Sequence, residues 1–272
     1  MSQSEPNSPT QNLQRRFGGI ARLYGDQGLL KLSRAHVCVI GIGGVGSWVA
    51  ESLARSAVGT ISLIDLDVVS ESNINRQLVA TSDAIGRDKV LVMRDRIAQI
   101  NAECTVHAVD EFISRENLSE LIRPEFDYVI DCIDDFRTKA ALINYCRKNK
   151  IKILTLGGAG GQRDPLKIKQ VDLSRTKQAV LLARTRKLLR QDYGFARNLK
   201  RSFGVPCVYS DEQLVYPDGS GGVGPQRPVN DPDEATSSNA LNCAGGMGSI
   251  THVTGTFAFV AAGFVLSQIA ET

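Results

Sequence analysis

The sequence predicts an α/β fold, a mostly parallel sheet with flanking helices. Three observations predict it. From residue 36 to residue 156, short apolar runs alternate with stretches of helical periodicity, and such alternation builds parallel sheets through right-handed crossovers. The first apolar run leads straight into a glycine cluster that opens a helical stretch, which sets a helix N-terminus over a strand end. The 272 residues are 42% hydrophobic and 22% charged, so the chain can bury a large core without disulfides or metal.

The elements follow in order. Residues 1–14 are polar, lack the apolar stretch of a signal peptide and are expected to form a disordered tail ahead of one domain over 15–272. Its core spans 36–160. Residues 36–40 read as a buried parallel strand that ends at Gly41. Residues 45–56 have helical spacing, with Val49 and Leu53 on one side and Gly59 as the stop. Residues 61–65 form the second strand, and Val90, Met93, Ile97 and Ile100 repeat at helical intervals. Further strands are expected at 106–109, 128–131 and 153–156, with a helix over 136–149 between the last two.

Beyond Gly157 the pattern changes. Residues 165–173 alternate as an exposed strand would. Residues 174–201 carry nine Lys or Arg against one acid, Asp192, which reads either as a stripe for a polyanion or as a solvated helix face. The aromatics near it are Tyr193, Phe195 and Phe203. Residues 217–240 open with eight Gly or Pro in sixteen positions and are expected to be a flexible loop. Residues 241–270 are apolar. A helix there is long enough to span a bilayer, but glycines, threonines and the lack of flanking basic clusters favour a buried helix with an adjacent strand over membrane association. Six cysteines with no CxxC pair point to a reducing, cytoplasmic setting.

Gly41-Ile-Gly-Gly-Val-Gly46 carries the chemistry. Its glycines let backbone approach phosphate, and the helix N-terminus favours negative charge. Asp65 ends the next strand 24 positions after Gly41, near the offset of about 20 for an acid that binds ribose. This is a Rossmann-like site, and alone it would suit a dinucleotide oxidoreductase. The following residues argue for a triphosphate instead. Asp65-Leu-Asp67 leads to Ser72-Asn-Ile-Asn-Arg-Gln77, Gly86-Arg-Asp-Lys89 and Asp131-Cys-Ile-Asp134. Arg76 and Lys89 are suited to neutralise phosphates. Asp134 is suited to hold Mg2+, which prefers one or two carboxylates plus phosphate oxygens. Each alone reads as a surface or cap residue. Together they fall on successive strand-end loops of one sheet, where ligands bind in such folds.

These motifs resemble the ubiquitin-activating-like adenylating domain, over about residues 16–160. The resemblance implies binding of ATP and Mg2+. It sets Gly41, Gly43, Gly44, Gly46, Asp67 and Gln77 around the nucleotide and Asp65 on ribose. Asn73, Arg76 and Lys89 would lie on the phosphates, with Asp134 on the metal. It also implies a homodimer in which an N-terminal arginine reaches the partner's ATP. Arg16 and Arg22 are the candidates, because Gly19 stands where the family's Arg-x-x-Arg spacing needs its second arginine.

Related activators of sulfur-carrier proteins usually hold a structural zinc on two CxxC pairs, so no such zinc is expected here. That absence, the run Arg16-Phe-Gly-Gly-Ile-Ala-Arg22-Leu-Tyr-Gly25 and the loop Asn242-Cys-Ala-Gly-Gly-Met-Gly248 resemble the tRNA threonylcarbamoyladenosine dehydratase subfamily. The resemblance implies ATP-dependent adenylation of the threonyl carboxylate of that nucleoside in tRNA, then loss of water to give the cyclic form. It also implies a sulfur-relay partner protein, which no residue of this chain demonstrates. Cys243 precedes a glycine pair and a helix start, where a thiolate is favoured, which reads as a carrier of a transient thioester; the competing reading is an inert thiol. Cys207 and Cys132 are expected only to pack. The alternatives are activation of a sulfur-carrier C-terminus, disfavoured by the missing zinc cysteines, and a non-catalytic scaffold, disfavoured by the intact ATP constellation.

Overall fold

A computed structural model describes residues 10–226 and 247–272. Its centre is a seven-stranded sheet. The strands are β1 (His36–Ile40), β2 (Thr60–Ile64), β3 (Thr105–Val109), β4 (Tyr128–Asp131), β5 (Ile153–Leu156), β6 (Ile168–Asp172) and β7 (Pro206–Ser210), in the order β3-β2-β1-β4-β5-β7-β6. All pairings are parallel except β6 with β7. The expected fold is therefore present, and the run read as an exposed strand is the antiparallel edge.

The helices are α1 (Gln11–Arg34), α2 (Gly46–Arg55), α3 (Lys89–Ile100), α4 (Leu118–Leu121), α5 (Phe136–Lys148), α6 (Val180–Asp192) and α7 (Thr251–Glu271). Successive residues of β1 point to opposite faces. Val37 and Val39 join the core under α2, α3 and α7, while Cys38 and Ile40 join the core under α5 and α6. Burial on both faces is why the strand reads as a continuous apolar run. The chain steps one way from β1 to β2 and β3, then returns to place β4 on β1's other side. That reversal opens a crevice at the carboxyl ends of β1 and β4.

Three regions differ from expectation. Helix α1 starts inside the stretch read as tail: Thr10 accepts from the Leu13 amide at 3.2 Å, and Gln11 is already helical. The helix breaks at Gly25, whose φ is +74°. Residues 217–226, read as the start of a loop, instead join a hairpin of β8 (Tyr216–Pro217) and β9 (Val223–Gly224), closed by Asp218 accepting from the Ser220 and Gly222 amides. The strand expected beside the C-terminal helix is absent among the described residues, where 251–271 is one helix. Burial on several sides blurs the helical period of this segment. By length and composition this helix could cross a membrane, but it packs on α1 and α2, with Val253, Phe257, Ala258, Ala261 and Val265 fully buried. The rest of the expected loop, 227–240, and Cys243 lie outside the described residues.

Candidate nucleotide site at the glycine turn

The turn after β1 needs its glycines for different reasons. Gly41 has φ +86°, and a Cβ there would come 3.1 Å from the Cys132 carbonyl of the β4 loop. A Cβ on Gly46 would sit 1.8 Å from the Gly41 carbonyl oxygen, so only glycine fits. Gly44 faces the Arg76 side chain and Thr254, and Gly43 faces Gln77. No side chain caps α2; its Ser47 amide donates to the Gly43 carbonyl at 3.1 Å, and the other N-terminal amides remain available to an anion.

Asp65 fastens this turn to the end of β2. Its carboxylate accepts from the Ile42 amide at 2.5 Å and the Asp67 amide at 2.8 Å. Burial raises its pKa, opposed by Lys89 and by the two amides. Lys89 opens α3 with its side chain 5% exposed, and its Nζ lies 2.7 Å from Asp67 Oδ2, whose side chain is 73% exposed. A cation is thus held at the crevice by a carboxylate that water can reach.

The segment between them is tightly tied. Asn73 is buried and its Oδ1 accepts from the Ser70 amide at 3.1 Å. The Arg76 guanidinium donates to the Ser72 carbonyl at 2.6 Å and to Asn75 Oδ1 at 3.0 Å. The Arg76 carbonyl accepts from Trp48 Nε1 on α2 at 3.1 Å and from Thr254 Oγ1 on α7 at 3.4 Å. Gln77 is buried beside Gly43, and its Oε1 has no hydrogen-bond partner. An unsatisfied buried acceptor at a glycine turn is a group that a ligand's donor would stabilise.

On the β4 side, Asp134 is exposed, yet the protein around its carboxyl raises its pKa. Desolvation is the largest cause, Asp135 and Asp67 add to it, and Lys139 opposes it. Asp67, at the end of β2 and already answered by Lys89, is the smallest of these causes. Among the described residues no three His, Cys, Asp or Glu side chains form a metal cage. One or two carboxylates with phosphate oxygens are what Mg2+ uses, so Asp134 and Asp67 suit that ion when a nucleotide supplies the rest.

Sequence reasoning missed the floor of the site. Asp131 and Lys139 are both 0% exposed and 2.8 Å apart. Thr155 Oγ1 donates to Asp131 Oδ2 at 2.6 Å, and the Ile133 amide donates to Oδ1 at 3.1 Å. A lysine on the apolar face of α5, with Ala140, Leu142, Ile143 and Cys146, was the available signal.

The remaining expected residues are not brought to this cluster. Arg22 is exposed on α1 and makes no hydrogen bond to the site. Arg16 donates to the Ile100 carbonyl at 2.5 Å. Burial, with the Asp131 carboxylate adding to it, pushes the Cys207 and Cys132 thiols far up, away from nucleophilic chemistry. The basic segment is not a uniform stripe. Arg175 donates to the Lys200 carbonyl at 2.9 Å, Arg186 bonds Thr176, and Arg190 donates to the Ala196 carbonyl at 3.3 Å.

Comparison with known proteins fits this geometry. The ThiF family profile matches residues 18–268. A tRNA threonylcarbamoyladenosine dehydratase of Haemophilus influenzae is 48% identical over 95% of this chain and 94% of its own length. Its Escherichia coli counterpart is 48% identical over 93% of each. A crystal structure of the E. coli enzyme in complex with ATP superposes with a TM-score of 0.83 at 45% identity, covering 96% of both chains. By its family profile and by these near-full-length relatives, the chain belongs to the ThiF family, on the branch of the tRNA threonylcarbamoyladenosine dehydratases.

Proposed function

We propose that this chain uses ATP to adenylate the threonyl carboxylate of threonylcarbamoyladenosine in tRNA and closes it to the cyclic nucleoside. The observation that carries the reading is near-full-length identity to dehydratases of that name, joined to a glycine turn with Arg76, Lys89 and Asp134 at its rim. A carboxylate is a poor electrophile. Its oxygen attacks the α-phosphorus and pyrophosphate leaves, giving an acyl-adenylate. A nucleophile on the same side group then attacks the acyl carbon and AMP leaves, at the high effective molarity of an intramolecular step. The net change in the nucleoside is the loss of one water.

The chain's own residues do the positioning. Asp65 holds the turn against the ribose. Asn73, Arg76 and Lys89 lie against the phosphates, where fixed cations stabilise the charge that develops as pyrophosphate departs. Lys89 exchanges Asp67 for phosphate, which frees the Asp67 carboxylate. Mg2+ held by Asp134 would supply further charge neutralisation at the phosphates. The enzyme works in the cytoplasm as a homodimer, with the exposed Arg22 of one protomer reaching its partner's nucleotide. A sulfur-relay protein is a further partner, and Cys243 is a candidate for a transient thioester.

The test is incubation of the purified protein with ATP, Mg2+ and tRNA bearing the modification, followed by mass spectrometry of the nucleosides. Loss of one water, dependent on ATP and abolished by Asp134→Ala, is the expected result. An unchanged nucleoside, with AMP formation triggered by a small Gly-Gly-tailed protein, would overturn it in favour of sulfur-carrier activation.

A further inference from the structure

Of the three aromatics near the basic segment, Tyr193 is partly exposed, while Phe195 and Phe203 do not offer a stacking surface. Phe195 and Phe203 are 2% and 6% exposed and pack edge to face, with centroids 5.0 Å apart. Arg147 and Arg190 lie over them as lids, 4.3 and 5.0 Å from the ring centroids. A different aromatic stands at the rim of the crevice. Phe136 is the first residue of α5, two positions after Asp134, and its ring is only partly buried.

Two guanidiniums flank that ring. The Cζ atoms of Arg137 and Arg184 lie 5.0 and 5.9 Å from its centroid. Both side chains are exposed, and neither forms an ion pair among the described residues. Each cation is attracted to the ring's π face, but the two repel one another. An anion relieves that repulsion, and a base can stack on the outer plane of a guanidinium or displace it from the ring. Leaving aside the fully buried Lys139, helices α5 and α6 hold seven basic residues against one acid, Asp192. The cluster is therefore the end, nearest the crevice, of a surface suited to a phosphate backbone.

We infer that Phe136, Arg137 and Arg184 form a platform that stacks the nucleotide beside the modified adenosine and holds its phosphate, so positioning the threonyl carboxylate over the nucleotide site. The inference rests on the tRNA reading above. Single-stranded RNA is gripped by aromatic rings and arginine planes in this way, and loop nucleotides are unstacked enough to reach them.

The reaction assay on wild-type protein tests the tRNA reading by itself. The platform is tested with a modified anticodon stem-loop that carries 2-aminopurine next to the modified adenosine. Wild-type protein is expected to quench its fluorescence. Phe136→Leu keeps apolar packing but loses the aromatic face, so it is expected to abolish quenching and weaken RNA binding about tenfold. Arg137→Gln combined with Arg184→Gln is expected to lower the slope of log affinity against log salt by about 0.7, one single-strand phosphate contact. A purely structural arginine would leave that slope unchanged. Retained ATP binding reports that the variants are folded. Unchanged quenching and slope in folded variants would overturn the platform. Quenching that depends on Phe136, with no dehydration by wild-type protein, would uphold the platform and sink the reaction reading. No binding of the stem-loop would sink both.

Discussion

Two buried lysines, 50 residues apart in sequence, have opposite surroundings. Lys139 and its partner Asp131 are both fully enclosed between α5 and the sheet. Lys89 is almost as buried, but its partner Asp67 stands in solvent. The first pair is closed, with every charge answered inside the protein by Asp131, Thr155 and the Ile133 amide. The second keeps a cation poised at the crevice, where an incoming anion can displace a water-exposed carboxylate at little cost. The difference teaches that burial of the lysine says nothing of its role; the exposure of its partner does.

That contrast can be broken most forcefully at the closed pair. Lys139→Met is expected to cost about 3–5 kcal/mol, because it strands a buried carboxylate. Adding Asp131→Asn removes that charge and is expected to restore most of the loss in urea unfolding. If Lys139→Met were nearly silent, the pair would not be closed. Lys89→Met should behave in the opposite way. It leaves Asp67 solvated, so stability should change by less than about 1 kcal/mol, while the proposed dehydration slows on the order of 10²–10³-fold. A large stability loss with normal turnover would erase the distinction between the two lysines.

The smallest effect concerns Asp134, whose folded-state pKa is raised. An acid of that kind binds more protons folded than unfolded, so its contribution to stability falls as pH rises from about 3.8 through the raised value. Asp134→Asn is expected to remove this dependence and to stabilise the protein slightly above that window, by at most about 0.5 kcal/mol for so exposed a group, while abolishing activity. Thermal midpoints across the acid range would show it. A destabilised Asp134→Asn protein at neutral pH would mean that the carboxylate is structural.

Much of the fold was legible because it is coded locally. β1, β4 and β5 fall at the expected residues, since buried parallel strands are short apolar runs. The glycine turn was legible because Gly46 has no alternative beside the Gly41 carbonyl. The site's floor was not, because Lys139 and Thr155 meet Asp131 only when the crossover from β4 through α5 lays β5 beside β4. Sequence spacing also left open which basic residues of 174–201 were committed to backbone carbonyls. Arg175 and Arg190 found theirs 25 and 6 residues away. The aromatic at the rim was overlooked because Phe136 belongs to a different helix from the arginine that covers it.

The last helix described has a consequence for how the protein comes into being. Asn75 donates to the Ser249 carbonyl at 2.7 Å, Thr251 donates to the Asn75 carbonyl at 2.5 Å, and Thr254 Oγ1 reaches the Arg76 carbonyl, across sequence separations of 174 to 178 residues. Strands β1 and β2 can pair early in synthesis, but the loop carrying Asn73, Arg76 and Gln77 has no lid until those distant residues leave the ribosome. Contacts this remote form late and slowly. The nascent chain therefore leaves this side of the crevice uncovered until α7 has emerged.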